Sequence, residues 1–336
     1  MRALVLTSPG HCEVREIDDP LPGPSDVVVD VERVGVCGTD VELFTGSMPY
    51  LADGHASYPI RPGHEWCGTV SAVGEDVDRR WAGTRVTGDT MLGCGRCQRC
   101  RTGRHHVCED RYEVGIRGGF AGALAEKIVV PVGSLLELPE VVDEVAGALV
   151  EPAGSALRAV EAADLGPGAR VLVLGAGTIG LLAELFALAV GAEVHVVDRS
   201  PAALDLAHTL GATGAWTADG VPALAYDAVV DASTSPQFPQ LALDIVEPGT
   251  RVVLVGLAGS SSMVDARDLV LRDVTAVGIL GASSGLARAI ELFASGTVDP
   301  RPLVAATVGL DDVSQVLAGW RPDSCGPGPK IHVDPR

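Results

Sequence analysis

A short apolar run, Val171 to Leu174, leads directly into Gly-Ala-Gly-Thr-Ile-Gly and then into an amphipathic stretch that continues to Val190. No other feature narrows the possible folds as much as this strand, turn and helix. Gly175 permits the tight turn, Gly177 lets the backbone approach a pyrophosphate, and Gly180 lets the helix pack closely on the strand. Thr178 and Ile179 open the helix, whose N-terminus offers free N–H groups and a positive dipole end to phosphates. A bare GxGxxG is a weak signal. Here the strand before it, the helix after it and Asp198 at the end of the next strand (EVHVVD) all agree. Asp198 lies roughly 20 residues on, where a carboxylate accepts hydrogen bonds from the ribose hydroxyls of a dinucleotide. Its charge opposes a 2′-phosphate and favours NAD over NADP. Arg199, next in sequence, is a candidate for holding such a phosphate, for stacking beside adenine, or for simple solvation.

After about Gly168 the chain alternates apolar strands with helical stretches: RVLVLGAG, EVHVVD, SPAALDLAHTLGA, AYDAVVDAS, a helix from about 236 to 246, and TRVVLVG. That alternation predicts βαβ units and a doubly wound parallel sheet, the Rossmann type of α/β fold. Before residue 150 the pattern is different. Short β runs at 27–36, 83–89 and 123–131, separated by Gly- and Pro-rich turns, predict an irregular β-rich domain. A helix is expected at 285–295, and RPDSCGPGP at 321–329 reads as a surface turn.

With 336 residues, 47% of them hydrophobic, the chain has enough apolar material for two cores. Its formal net charge of −19 argues against nucleic acid or an anionic membrane as partner. No stretch approaches the 18 or so uninterrupted apolar residues of a membrane span, and the amino terminus lacks the apolar core of a secretory signal. A cytoplasmic location is therefore expected. There the eight cysteines stay reduced, and clustered thiols are metal ligands more often than disulfides.

Cys94, Cys97, Cys100 and Cys108 form C-x2-C-x2-C-x7-C in a Gly/Arg-rich segment. Four thiolates at such spacings suit a closed, tetrahedral structural zinc site better than an iron–sulfur cluster or disulfides. A second set is dispersed: Cys37 in GVCGTD, His64 and Glu65 in PGHEWCG, and Glu151 in LVEPAG. None is persuasive alone, because a lone Cys is usually buried filler and a lone His is often a core residue.

These neighbourhoods are where the chain resembles the zinc-containing medium-chain dehydrogenase/reductase family, across essentially its whole length. The family pattern G-H-E-x2-G-x5-G-x2-V is met by Gly63, His64, Glu65, Gly68, Gly74 and Val77. GVCGTD, the four-cysteine loop and GAGTIG follow in the family's order. Glu151 stands where the short-chain alcohol enzymes commonly carry a zinc-binding cysteine, so the polyol, threonine and glucose dehydrogenases are the nearer branch.

The resemblance implies a GroES-like catalytic domain from residues 1–150 and 285–336, with a Rossmann NAD-binding domain at 151–284. It implies two zinc ions per chain and NAD as cofactor. The catalytic zinc would be held by Cys37 and His64, with Glu151 or Glu65 completing the set. Zinc would act as a Lewis acid on an alcohol whose hydride passes to the nicotinamide. Thr39 stands where the family places the hydroxyl that takes the alcohol proton, and Asp40 where a carboxylate orients a ligating histidine. Many relatives have a histidine shortly after GTD; this chain has Glu42, either a relay group or a surface carboxylate. His55 falls in a loop expected to border the pocket. The implied substrate is a small alcohol, polyol, sugar or cyclitol, or the corresponding ketone, and the implied assembly is a homodimer or homotetramer.

Overall fold

The structure, a computed structural model, describes all 336 residues. Residues Asp26–Gly35 carry valines on both faces and make the longest strand of a seven-stranded, largely antiparallel sheet. The order across it is Val304–Gly309, Lys330–Asp334, Asp26–Gly35, Glu65–Val73, Arg85–Gly88 and Leu135–Glu137, and Lys127–Pro131 also pairs with Asp26–Gly35. Only the pairing of Val304–Gly309 with Lys330–Asp334 is parallel. Val27, Val29, Val31, Trp66, Val86 and Ile128 fill the core of this half of the molecule.

The second sheet has six parallel strands in the order Gly214–Trp216, Glu193–Val197, Arg170–Leu174, Tyr226–Asp231, Val246–Leu254 and Thr275–Gly278. Numbered along the chain this is 3-2-1-4-5-6, the doubly wound order. Val171 and Val173 face one core cluster while Leu172 and Leu174 face another. A strand covered on both faces must be apolar at consecutive positions, which is why this segment reads as an unbroken hydrophobic run. The order reverses between Arg170–Leu174 and Tyr226–Asp231, and the glycine turn sits at the carboxyl end of the first of these, beside the switch point where such folds bind ligands.

The helix Leu286–Ala294 forms where the sequence predicts one, but it packs with the second domain rather than the first. Leu286, Ala289, Ile290 and Phe293 join the core cluster that contains Val171 and the helix Val150–Ala163. The two helices' supports approach so closely that a Cβ on Gly285 would stand 2.3 Å from the Gly154 carbonyl oxygen. Phe293 also stacks parallel to Phe186 at 6.4 Å between ring centroids. The helix's apolar stripe decides its side, and the chain rejoins the first sheet only at Val304–Gly309. No helix is long and apolar enough to cross a membrane.

Candidate active site and cysteine cluster

The GVCGTD segment places its functional atoms through a helix start. Cys37 caps the helix Gly38–Thr45, and its N–H donates to Oδ2 of Asp40 at 2.9 Å. The other oxygen, Oδ1, accepts from the N–H of Gly63 at 3.0 Å. One fully buried carboxylate therefore ties the turn that carries Cys37 to the turn that carries His64. Gly63 itself has φ +97°, and a Cβ there would lie 2.7 Å from the Leu124 backbone nitrogen, so no other residue fits before the histidine.

His64 Nδ1 lies 3.7 Å from Asp40 Oδ1, too far for a hydrogen bond, and it has no other partner although it is buried. Burial alone would lower the pKa of this imidazole. The charges of Asp40 and Cys37 outweigh that and hold it well above its usual value. Donor atoms of Cys37, His64 and Glu65 all lie within 4.8 Å of one another. A thiol, an imidazole and a carboxylate converging at that range, with a ring nitrogen unsatisfied, fit a zinc ion with one position left open.

Glu65 is not free, however. Lys330 Nζ donates to both of its oxygens, at 2.8 and 2.6 Å, and to the Val36 carbonyl at 3.1 Å. Both members of this ion pair are buried. Glu151, in the first turn of Val150–Ala163, is buried without any ion-pair partner. Burial raises its pKa to about 7, with Glu65 and Asp89 adding to the rise and His64 and Lys330 opposing it.

These groups line one cavity of about 540 Å³ between the two sheets. Cys37, Thr39, His64, Glu65, Glu151 and Lys330 form part of the wall, and Gly177, Thr178 and Ile179 form the part opposite. The nucleotide turn is built for close approach. A Cβ on Gly180 would fall 1.8 Å from the Gly175 carbonyl, whereas one on Gly177 would meet nothing within 4 Å, leaving that face open to a ligand. Asp198 sits beside the turn, accepting from the N–H groups of Ala176 at 2.8 Å and Ser200 at 2.9 Å. Arg199 is exposed and makes no ion pair.

The remaining expected residues divide. Thr39 lines the cavity. Glu42 is exposed and does not. His55 is exposed too, its ring edge-on to Tyr50. Sequence reasoning missed Lys330, Tyr50 and Glu113. Tyr50 and Glu113 line the cavity; Tyr50 donates to Glu113 at 3.1 Å, and Arg111, behind them, donates at 3.0 Å to Tyr50 and 2.7 Å to Glu113. No motif marks any of the three, since each acquires its partner only through the fold.

The four-cysteine loop stands apart from the cavity. Sγ–Sγ distances are 3.5 Å for Cys97–Cys100, 3.8 Å for Cys97–Cys108 and 4.0 Å for Cys94–Cys100. None of the cysteines is disulfide-bonded. N–H groups of Arg96 and Cys97 pull the Cys94 thiol down to about 6, while burial pushes Cys100 up to about 12. Four sulfurs gathered within 4.8 Å of one another, none of them in a disulfide, are a donor set that fits a closed zinc site.

Comparison with known proteins agrees with this geometry. Residues 23–140 match the model of the alcohol dehydrogenase GroES-like domain, and residues 178–295 match that of the zinc-binding dehydrogenases. An L-threonine 3-dehydrogenase from Deinococcus deserti is 32% identical over 311 residues, 88% of either chain. Two solved Escherichia coli structures are also similar. One is a short chain alcohol dehydrogenase of strain CFT073 complexed with NADH, with a TM-score of 0.91, 25% identity and 99% of each chain covered. The other is galactitol-1-phosphate dehydrogenase, with a TM-score of 0.88, 27% identity and 100% of each chain covered.

Proposed function

Because the chain belongs to the zinc-binding alcohol dehydrogenase family, we propose that it oxidises a secondary alcohol reversibly, with NAD as hydride acceptor, in the cavity between its two sheets. One observation carries this reading: the cluster around Cys37 and the open glycine turn at Gly177 line the same cavity. An alcohol activated at one wall then faces a nicotinamide held from the other.

Cys37 and His64 would hold the catalytic zinc, with Glu65, which converges with them but is paired with Lys330, or Glu151, which lines the same cavity without an ion-pair partner, completing the set. Zinc in such a site supplies Lewis acidity that makes an alcohol easier to deprotonate, and the nicotinamide accepts the hydride. The chain's own residues supply the rest. Asp40 fixes the spacing of Cys37 and His64 through its two backbone hydrogen bonds. Thr39, on the cavity wall, takes the alcohol proton. The turn at Gly177–Ile179 receives the pyrophosphate, and Asp198, whose oxygens retain lone pairs, receives the ribose hydroxyls. Its charge disfavours a 2′-phosphate and supports NAD over NADP. Cys94, Cys97, Cys100 and Cys108 would hold the second, structural zinc.

The hydroxyl of Tyr50 and the carboxylate of Glu113, both on the cavity wall, support a polyol, sugar, cyclitol or threonine-like substrate. The threonine and galactitol-1-phosphate dehydrogenases among its relatives support the same range. We propose further that the chain works as an oligomer, at least a dimer. The strand Thr275–Gly278 leaves one sheet edge unpaired, and Met263, Val270 and Leu271, in the segment before it, are 80–87% exposed.

The test is appearance of reduced-nicotinamide absorbance with NAD and with NADP across polyols, aldoses, cyclitols, threonine and secondary alcohols. Turnover with NAD that a zinc chelator abolishes is the expected result. Turnover untouched by removal of all zinc would overturn the reading.

A further inference from the structure

A second cavity, of about 290 Å³, is lined entirely by residues from Val5 to Ala121, in the first half of the chain. Its wall includes Ile17, Ile60, Phe120 and Ser57, and it meets the catalytic cavity only at Ile116, which lines both. Its ionisable residues are Arg15 and Arg61, and no aspartate or glutamate lines it. In a chain with 44 acidic residues against 25 basic ones, two arginines facing an acid-free cavity call for an explanation.

Arg15 is half exposed and donates to Glu13 at 2.6 Å. Arg61 is different. Its side chain forms no ion pair and no hydrogen bond, its Nε is sealed from solvent without an acceptor, and no aromatic ring stacks on it. Partial burial draws its pKa down, in keeping with a charge that has no counter-ion beside it. A guanidinium that stays charged presents a planar fork of donors matching the oxygens of a phosphate or carboxylate. The exposed Ser57 lies on the same wall. The backbone holds Arg61 firmly: its carbonyl accepts from Gly122 at 2.7 Å, and its neighbour Ile60 pairs with Leu6 in both directions.

We propose that this cavity is an oxyanion-binding site, separate from the hydride-transfer cavity, for a small molecule bearing a phosphate or carboxylate group. Arg61 supplies a half-buried charge without a counter-ion, and Arg15 and Ser57 supply further donors. Ile17, Ile60 and Phe120 offer an apolar surface to the rest of the ligand.

The test is titration calorimetry on the full-length, zinc-loaded protein with the nucleotide cleft saturated by NAD, so that the glycine turn does not report. Sulfate, inorganic phosphate and acetate are the probes. Saturable binding at one site per chain is expected, weakened roughly ten- to hundredfold by Arg61→Gln and less by Arg15→Gln, with Arg61→Lys in between. Preference for phosphate and sulfate over acetate would assign a phosphate ester, and equal or better binding of acetate a carboxylate. Should Arg61→Gln fail to fold, Arg61→Lys and Arg15→Gln carry the same comparison. Binding that ignores all three substitutions, or wild-type protein that binds none of the probes, overturns the assignment.

Discussion

The cysteine cluster and the catalytic cluster use similar donors but are assembled over different ranges. Cys97 and Cys108, at 3.8 Å, are separated by 11 residues, with only a short helix and turns between them. Glu65 and Lys330, at 2.6 Å, are separated by 265, and Asp40 reaches Gly63 across 23. The first cluster needs little but its own loop and a metal, so damage there should stay local. The second exists only when two turns, a helix start and the last strand of the first sheet are all in place. It also concentrates buried charge that is balanced pairwise, so removing one partner strands another.

Four substitutions would sharpen or break that contrast. Cys37→Ser should lower turnover at least about a thousandfold, several kcal/mol of transition-state stabilisation, while leaving NAD affinity nearly intact. Steady-state kinetics beside equilibrium NAD binding checks this, and full activity in the variant would sink the zinc assignment. Lys330→Gln should destabilise the fold by about 3 kcal/mol, because Glu65 keeps its charge and loses its counter-ion. Denaturant unfolding reads that loss, and a second change, Glu65→Gln, should recover much of it. If the double variant is no better than the single one, the pair is not what balances the site.

Cys97→Ser should act on stability rather than chemistry. A loss of about 2 kcal/mol, or roughly 5 °C in thermal midpoint, is expected together with easier proteolysis within residues 94–108. Folded molecules should retain most of their turnover. Inactivation as complete as that of Cys37→Ser would mean that the loop shapes the active site after all. The smallest effect is expected from Asp40→Asn, which keeps one backbone hydrogen bond but removes the charge beside His64. Zinc affinity at the catalytic site, measured by competition with a chelator, should fall about tenfold. No change would reduce Asp40 to a structural cap.

Much of this molecule can be read without coordinates, and the limits fall where physics puts them. The parallel sheet, the glycine turn and the four-cysteine loop are local patterns: apolar runs report burial on both faces, glycines report backbone crowding, and cysteine spacing reports a shared ligand. Even so, the sequence predicts the helix at 285–295 without showing which core it joins, because an apolar stripe does not name the surface that covers it. The dispersed site was partly legible, since Cys37, His64, Glu65 and Glu151 sit in recognisable surroundings although nothing local links them.

Lys330 left no trace of its role in the stretch PKIHVDPR, and Arg61 looked like any other basic residue before a turn. What the sequence determined by itself was the set of elements and the two kinds of donor. Only the tertiary structure decided that Lys330 holds Glu65, that Glu151 is buried on the cavity wall, that Glu42 faces solvent and that Arg61 has no counter-ion. Those outcomes are electrostatic balances among groups far apart in the chain. Charge pairing depends on distance and burial, and neither exists until the chain has folded.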